Sequence, residues 1–203
     1  MRAAKTPHAK MVARKKPSMT LYLRLGGTRR TFHLTAVQPG DSIRDIKADI
    51  ELVAGIPAHI LRLSFLDEGD LHDDSTVNDN YIVTGATLDL RVWDHWQLLM
   101  TIASKGDSET IFNLGVTKTS SYKSSYTDYM NEVDRQDWFA QRGFVALFIA
   151  CHRGHYGLAQ RLINAGVDVN CATKLGRRPL HAAACQNNYK IVNLLLQNGE
   201  LRV

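Results

Sequence analysis

Between residues 143 and 199 the chain carries one pattern twice. Gly143, Leu147, Ala150, Leu162 and Gly166 recur as Gly176, Leu180, Ala183, Leu195 and Gly199, each pair 33 residues apart. A repeat of that size is one supersecondary unit that cannot bury its apolar face alone, so a core exists only where neighbouring units stack. Leu147, Ile149 and Ala150 share one expected helix, and Leu158, Leu162 and Ile163 the next. The second copy offers Leu180, Ala183 and Ala184, then Ile191, Leu194 and Leu195. The alanines let paired helices approach closely, while Leu and Ile fill the groove against the neighbour.

The second copy reads Arg178-Pro179-Leu180-His181-Ala182-Ala183. The first places Gly154-His155 in its inter-helix turn and ends Leu162-Ile163-Asn164-Ala165-Gly166-Val167-Asp168-Val169-Asn170. These stretches resemble the ankyrin signatures T-P-L-H-x-A and L-L-x-x-G-A-D-V-N. The resemblance implies one repeat over 143–175 and an incomplete one over 176–203. It has departures. Val145-Ala146-Leu147-Phe148 stands where Thr-Pro-Leu-His is usual, and Arg178 replaces the threonine whose hydroxyl caps the helix, a loss of about 1 kcal/mol per repeat. A weak array is expected. Upstream, Ala103, Gly106-Asp107, Ile111 and Leu114 resemble a degenerate first repeat over 94–116, or else form a helical linker. Past Gly199 no repeat with a polar outer face follows, so the parent protein is expected to continue or the chain to be a shortened isoform.

Residues 19–93 have a different period. Leu21, Leu23 and Leu25 alternate with Thr20, Tyr22 and Arg24, as in a half-buried strand. Gly26-Gly27-Thr28 is a turn, and Thr31 to Val37, with Phe32 and Leu34 inward, completes a hairpin. Asp41 or Ser42 caps a helix to about Leu52 that buries Ile43, Ile46 and Ile50 and stops at Gly55 before Pro57. Leu61–Leu66 and Thr87–Trp93 are further strands. Val37-Gln38-Pro39-Gly40-Asp41-Ser42-Ile43, Gly55-Ile56-Pro57 with Leu61-Arg62-Leu63-Ser64-Phe65, Ser75-Thr76-Val77-Asn78-Asp79 and Ala86-Thr87-Leu88-Asp89-Leu90 resemble segments of ubiquitin, with one residue more in the second strand. The implied fold class is α+β: a ubiquitin-like β-grasp domain followed by a short α-helical ankyrin array. The last strand continues Leu90-Arg91-Val92-Trp93-Asp94 with no diglycine, which implies a built-in module that is not conjugated. Where ubiquitin presents an apolar patch, the matching positions are Gly26, Ser64 and Arg91, with Arg62 and Asp89 on the same face. Ordinary ubiquitin receptors are expected to bind such a charged face poorly, since an apolar groove would desolvate Arg91 unpaired.

Ala103 and Ala150 are 47 residues apart, longer than one repeat. The excess suggests an exposed insertion over 117–142, rich in Ser, Thr and Tyr near Thr119, Ser120, Ser121, Tyr122, Ser124, Ser125 and Tyr126, and open to phosphorylation. Trp138 and Phe139 then stand at a fingertip position, either as exposed anchors or buried against the preceding repeat. Six of the 25 Lys and Arg residues fall in residues 1–18, which hold no acid, leaving 19 against 20 acidic residues elsewhere. The basic balance belongs to a leader expected to be disordered and does not mark a nucleic-acid-binding fold. Arg14-Lys15-Lys16-Pro17 is import-like or an electrostatic contact for an acidic partner. No apolar run of about 18 residues spans a membrane, and no apolar leader directs secretion. Cys151, Cys171 and Cys185 read as reduced thiols, which sets the expected compartment as the cytoplasm, with the nucleus open to it.

Neither a G-x-S-x-G turn nor a phosphate-binding glycine loop occurs. His152, His155, His181 and the cysteines lack metal-ligand spacing, and Asp67-Glu68 and Asp73-Asp74 read as solvated loop acids. No catalytic residue, metal or cofactor is expected. Instead the expected function is a non-enzymatic, monomeric scaffold that grips a protein partner through Trp138, Phe139, Thr173, Lys174, Leu175 and Arg177, with no membrane or nucleic-acid partner. The other reading is an adaptor that delivers a client to the ubiquitin and proteasome machinery. Leu162, Asp168, Val169 and Asn170 also resemble the pattern for asparaginyl hydroxylation of ankyrin repeats, which implies Asn170 as a modification site.

Overall fold

The computed structural model describes residues 18–27, 30–66 and 69–199. The basic leader apart from Ser18, Thr28 of the first turn, the pair Asp67-Glu68 and residues 200–203 lie outside them. Strands β1 (Met19–Leu25) and β2 (Thr31–Val37) form the hairpin, followed by helix α1 (Ile43–Ala54), β3 (Leu61–Ser64) and β4 (Thr87–Val92). The sheet order is β2-β1-β4-β3, with β1 and β4 parallel and the other pairs antiparallel. The pairing of β1 with β2 shifts register locally: Met19 pairs with Val37 but Leu21 with Leu34, and Ala36 takes a positive φ of 67°.

Ser42 caps α1. Its hydroxyl accepts from Asp45 N at 3.1 Å while the Asp45 carboxylate accepts from Ser42 N at 3.1 Å. The Ser42 hydroxyl also donates to that carboxylate at 2.7 Å, and this bond, with the one from Ser42 N, holds the Asp45 carboxyl below its ordinary range. Ile43, Ile46 and Ile50 pack on the sheet with Leu21, Leu23, Leu88 and Leu90, all buried. Gly55 closes the helix at φ 66°, and a methyl at that position would overlap the His152 ring. Only glycine meets both demands.

The helical half consists of α2 (Asp94–Lys105), a 3₁₀ turn at Thr110–Leu114, α3 (Glu132–Arg153), α4 (Tyr156–Asn164), α5 (Pro179–Cys185) and α6 (Tyr189–Gln197). α3 packs against α2, α4 and α5, and α5 against α6. Leu162 and Leu195 are both buried, and one continuous apolar cluster joins the sheet half to the helices.

Two expectations are corrected here. The boundary between 142 and 143 falls inside α3, a helix of 22 residues rather than a short one. Arg178-Pro179 gives α5 a defined start, with proline in the first turn. The first copy has no such proline, so the helix runs back to Asn131, whose side chain accepts from Asp134 N at 2.9 Å. Gly143 is accordingly not a turn. It lies in the helix, where an added Cβ would collide with the Val116 carbonyl, so it is needed for close approach. The insertion is also less exposed than expected. Thr127 is buried, and Tyr122 stacks on Trp138 with ring centres 6.1 Å apart.

Candidate functional site

The loop between α4 and α5 turns tightly at Thr173 to Arg177. Gly176 N donates to Thr173 O at 2.9 Å, and Thr173 N to Arg177 O at 2.8 Å. The Thr173 hydroxyl accepts from the Leu175 and Arg177 amides, both at 3.3 Å. This turn sorts the loop's expected contact residues into two groups. Lys174 and Leu175 stand exposed at its tip, Leu175 at 39%. Thr173 and Arg177 point inward to α1, against the expectation that all of them face solvent.

Their target is Glu51, fully buried at 0% exposure. One carboxylate oxygen accepts from Ala58 N at 2.8 Å. The other accepts from the Thr173 hydroxyl at 3.2 Å and lies 3.4 Å from an Arg177 nitrogen. Burial pushes the Glu51 carboxyl above its ordinary range, and these donors offset part of that rise. Arg177 also donates to the Ala48 carbonyl. The last carbonyls of any helix lack intrahelical partners, and α1 has no basic residue in its last turn. Other segments supply the donors. His152 Nε2 lies 2.8 Å from Leu52 O, and Arg153 Nη2 donates to Ala54 O at 2.8 Å. His152 Nε2 also lies 3.1 Å from the Gln186 side-chain nitrogen, and the buried Nδ1 has no hydrogen-bond partner among the described residues. Burial lowers the pKa of both His152 and Arg153.

The expected aromatic anchors lie elsewhere. Phe139 is 1% exposed and packs against Gly115, so it is core rather than a fingertip. Trp138 is half-buried, with the Arg142 guanidinium 4.4 Å from its ring centre. Arg142 itself is only 2% exposed. It donates to Leu114 O at 2.8 Å and His95 O at 3.1 Å, and lies 5.6 Å from the Trp96 ring and 5.5 Å from the Tyr122 ring. Burial lowers its pKa to about 10. Two carbonyls and three rings solvate this charge and tie α3 to α2 and to the 3₁₀ turn.

On the sheet, register pairs Arg62 with Arg91 and Ser64 with Asp89. Asp89 takes a bidentate pair from Arg24 at 2.7 and 2.9 Å, which lowers its pKa. Arg62 binds Asp70 at 2.7 Å and lies 4.6 Å over the Trp93 ring. Arg91 is exposed and has no ion-pair partner among the described residues. Asn170 is half-buried, its amide donating to Gly199 O at 3.1 Å. Among the described residues no three His, Cys, Asp or Glu side chains are grouped to hold a metal. No described helix is long and apolar enough to cross a membrane.

Sequence reasoning assigned no role to Glu51, Arg142 or Arg153. A signal for the first was present: Ala48, Glu51 and Ala54 recur at a spacing of three, marking a second packing face on α1 beside the isoleucine face. Arg142 and Arg153 carry no comparable pattern.

The family model for ankyrin repeats, in three copies, matches residues 99–202. The chain is 39% identical over 57 residues to BCL-6 corepressor-like protein 1 of Homo sapiens, covering 28% of this chain and 3% of that protein. It is 38% identical over 56 residues to the neurogenic locus Notch protein of Drosophila melanogaster, covering 28% and 2%. It is 36% identical over 58 residues to the ADP-ribosylation factor GTPase-activating protein AGD4 of Arabidopsis thaliana, covering 29% and 8%. The chain therefore spans no more than 8% of the length of these curated relatives.

Proposed function

The chain belongs to the ankyrin-repeat family, a protein–protein interaction module, and from that premise we propose that it is a non-enzymatic scaffold gripping a protein partner at the tip of the 173–177 loop. The observation that carries this reading is the contrast within that loop: Lys174 and Leu175 stand in solvent while Thr173 and Arg177 hold its base through Glu51. A cation and an apolar side chain on a rigid turn lose little freedom on contact. A partner with an acidic rim around a small apolar pocket suits them. We read the N-terminal half as a ubiquitin-like module without conjugation chemistry. The sheet order, the helix between β2 and β3 and the direct run of β4 into α2 support this. An odd count of three cysteines supports a reducing compartment, the cytoplasm with the nucleus open to it.

The test is proximity labelling in cells with the intact chain and with Lys174→Glu/Leu175→Asp. A defined set of proteins labelled by the first and lost with the second is the expected result. An unchanged set removes the loop tip from partner binding.

A further inference from the structure

Among the described residues no charged side chain is less exposed than Glu51, and every group that satisfies it beyond Ala58 comes from the ankyrin half. The same half supplies donors to the Ala48, Leu52 and Ala54 carbonyls. These contacts share one chemical character. α1 keeps its isoleucine face on the sheet and gives the repeats a carboxylate and helix carbonyls, beside the small residues Ala48, Ala54 and Gly55. The surface formed by Thr173, Arg177 and the end of α3 thus holds the last turns of a helix through exchangeable hydrogen bonds.

We propose that α1 is a ligand held in cis, occupying a groove that recognises a helix C-terminus, and that a partner presenting the same chemistry takes the groove by displacing it. Such a partner carries a glutamate with alanine-sized residues three positions to either side and a glycine that ends the helix and leaves its carbonyls open. This rests on the partner-binding reading but uses a different surface: Lys174 and Leu175 face solvent at the loop tip, whereas the groove faces α1. The chain is then closed at rest, and the partner helix competes against an intramolecular copy whose effective concentration is high.

The test uses the full chain and a fluorescent synthetic peptide copying residues 41–58, read by anisotropy. Glu51→Lys places a cation against Arg177 and opens the groove from the α1 side. The peptide binds the Glu51→Lys chain at least tenfold more tightly than the wild-type chain. Adding Arg177→Ala to that chain reverses the gain, and a peptide carrying Glu51→Lys binds neither. Hydrogen exchange on the same proteins reports the fold. Amides of residues 52–55 exchange at least tenfold faster in Glu51→Lys, with those of Leu23 and Ile46 unchanged. Should Ile46 lose protection, Glu51→Gln replaces it as the milder opening and is expected to give about a threefold gain in peptide binding. Equal binding to closed and opened chains overturns the proposal. So does an opened chain that fails to bind, or binding that survives loss of Arg177. Capture through Lys174 and Leu175 is read separately, so failure here leaves that surface standing.

Discussion

Replacing Arg142 with alanine removes the guanidinium that ties α3 to α2 and to the 3₁₀ turn. Three contributions set the magnitude. The charge-assisted bonds to Leu114 O and His95 O are worth about 1.5–3 kcal/mol each before desolvation. The approach to the Trp138 ring at 4.4 Å adds about 1–2 kcal/mol in a desolvated site. Against them stands burial of a cation without a carboxylate, which costs several kcal/mol and lowers its pKa to about 10. Truncation to alanine discards the favourable contributions, leaves the Leu114 carbonyl without this donor and empties the space between three rings. The expected loss is about 3–4 kcal/mol. Arg142→Met fills the same space with a polarisable apolar chain and abolishes the desolvation cost, so its expected loss is about 1–2 kcal/mol. For a chain of this size 1 kcal/mol corresponds to roughly 2–4 °C in Tm, so alanine lowers Tm by about 6–16 °C and methionine by about 2–8 °C. Urea unfolding at pH 7, followed by tryptophan fluorescence, measures both. An alanine variant within 1 kcal/mol of wild type, or a methionine variant as damaged as alanine, refutes the reasoning.

Acid should weaken the fold through His59, His95 and His152, whose pKa values burial lowers. The neutral form is favoured in the native state, so this stability is complete above the unfolded value near 6.5 and is lost as pH falls through the lower native values. The raised Glu51 carboxyl acts in the opposite sense, since its protonation on acidification relieves a burial cost; the expected net result is a lower urea midpoint at pH 5 than at pH 7, with a smaller drop in His152→Gln. Gly55→Ala should cost at least about 3 kcal/mol, combining left-handed backbone strain with overlap on the His152 ring; a variant as stable as wild type would falsify the close approach. Immobilised proteasomal ubiquitin receptors should fail to retain the chain, and specific retention abolished by Arg91→Glu would favour the adaptor reading. Mass spectrometry of cell-derived protein should find an added oxygen on Asn170, whereas a wholly unmodified residue ends that expectation.

Where a side chain's role depends on near neighbours in sequence, the sequence disclosed it. The alternation in β1, the spacing of Ile43, Ile46 and Ile50, the Ser42 cap and the Gly55 stop all appear where periodicity and capping chemistry place them. Arg178-Pro179 marked the start of α5 for the same reason. Roles that depend on distant partners were hidden. Glu51 finds Thr173 and Arg177 more than a hundred positions away, and nothing local requires them to meet. A fingertip loop ordinarily faces solvent, whereas α1 occupies that side of Thr173 and Arg177 here. Phe139 was ambiguous in the sequence, and its burial follows from α3 extending back to Asn131, which packs it against Gly115.

The helix end completed from afar has a consequence for biosynthesis. Residues 48–54 leave the ribosome before the repeats do, and Thr173 and Arg177 follow Glu51 by 122 and 126 positions. At 5–20 residues per second that is a delay of roughly 6–25 s. Throughout that interval the Glu51 carboxylate and the last carbonyls of α1 are without the donors that the later residues supply.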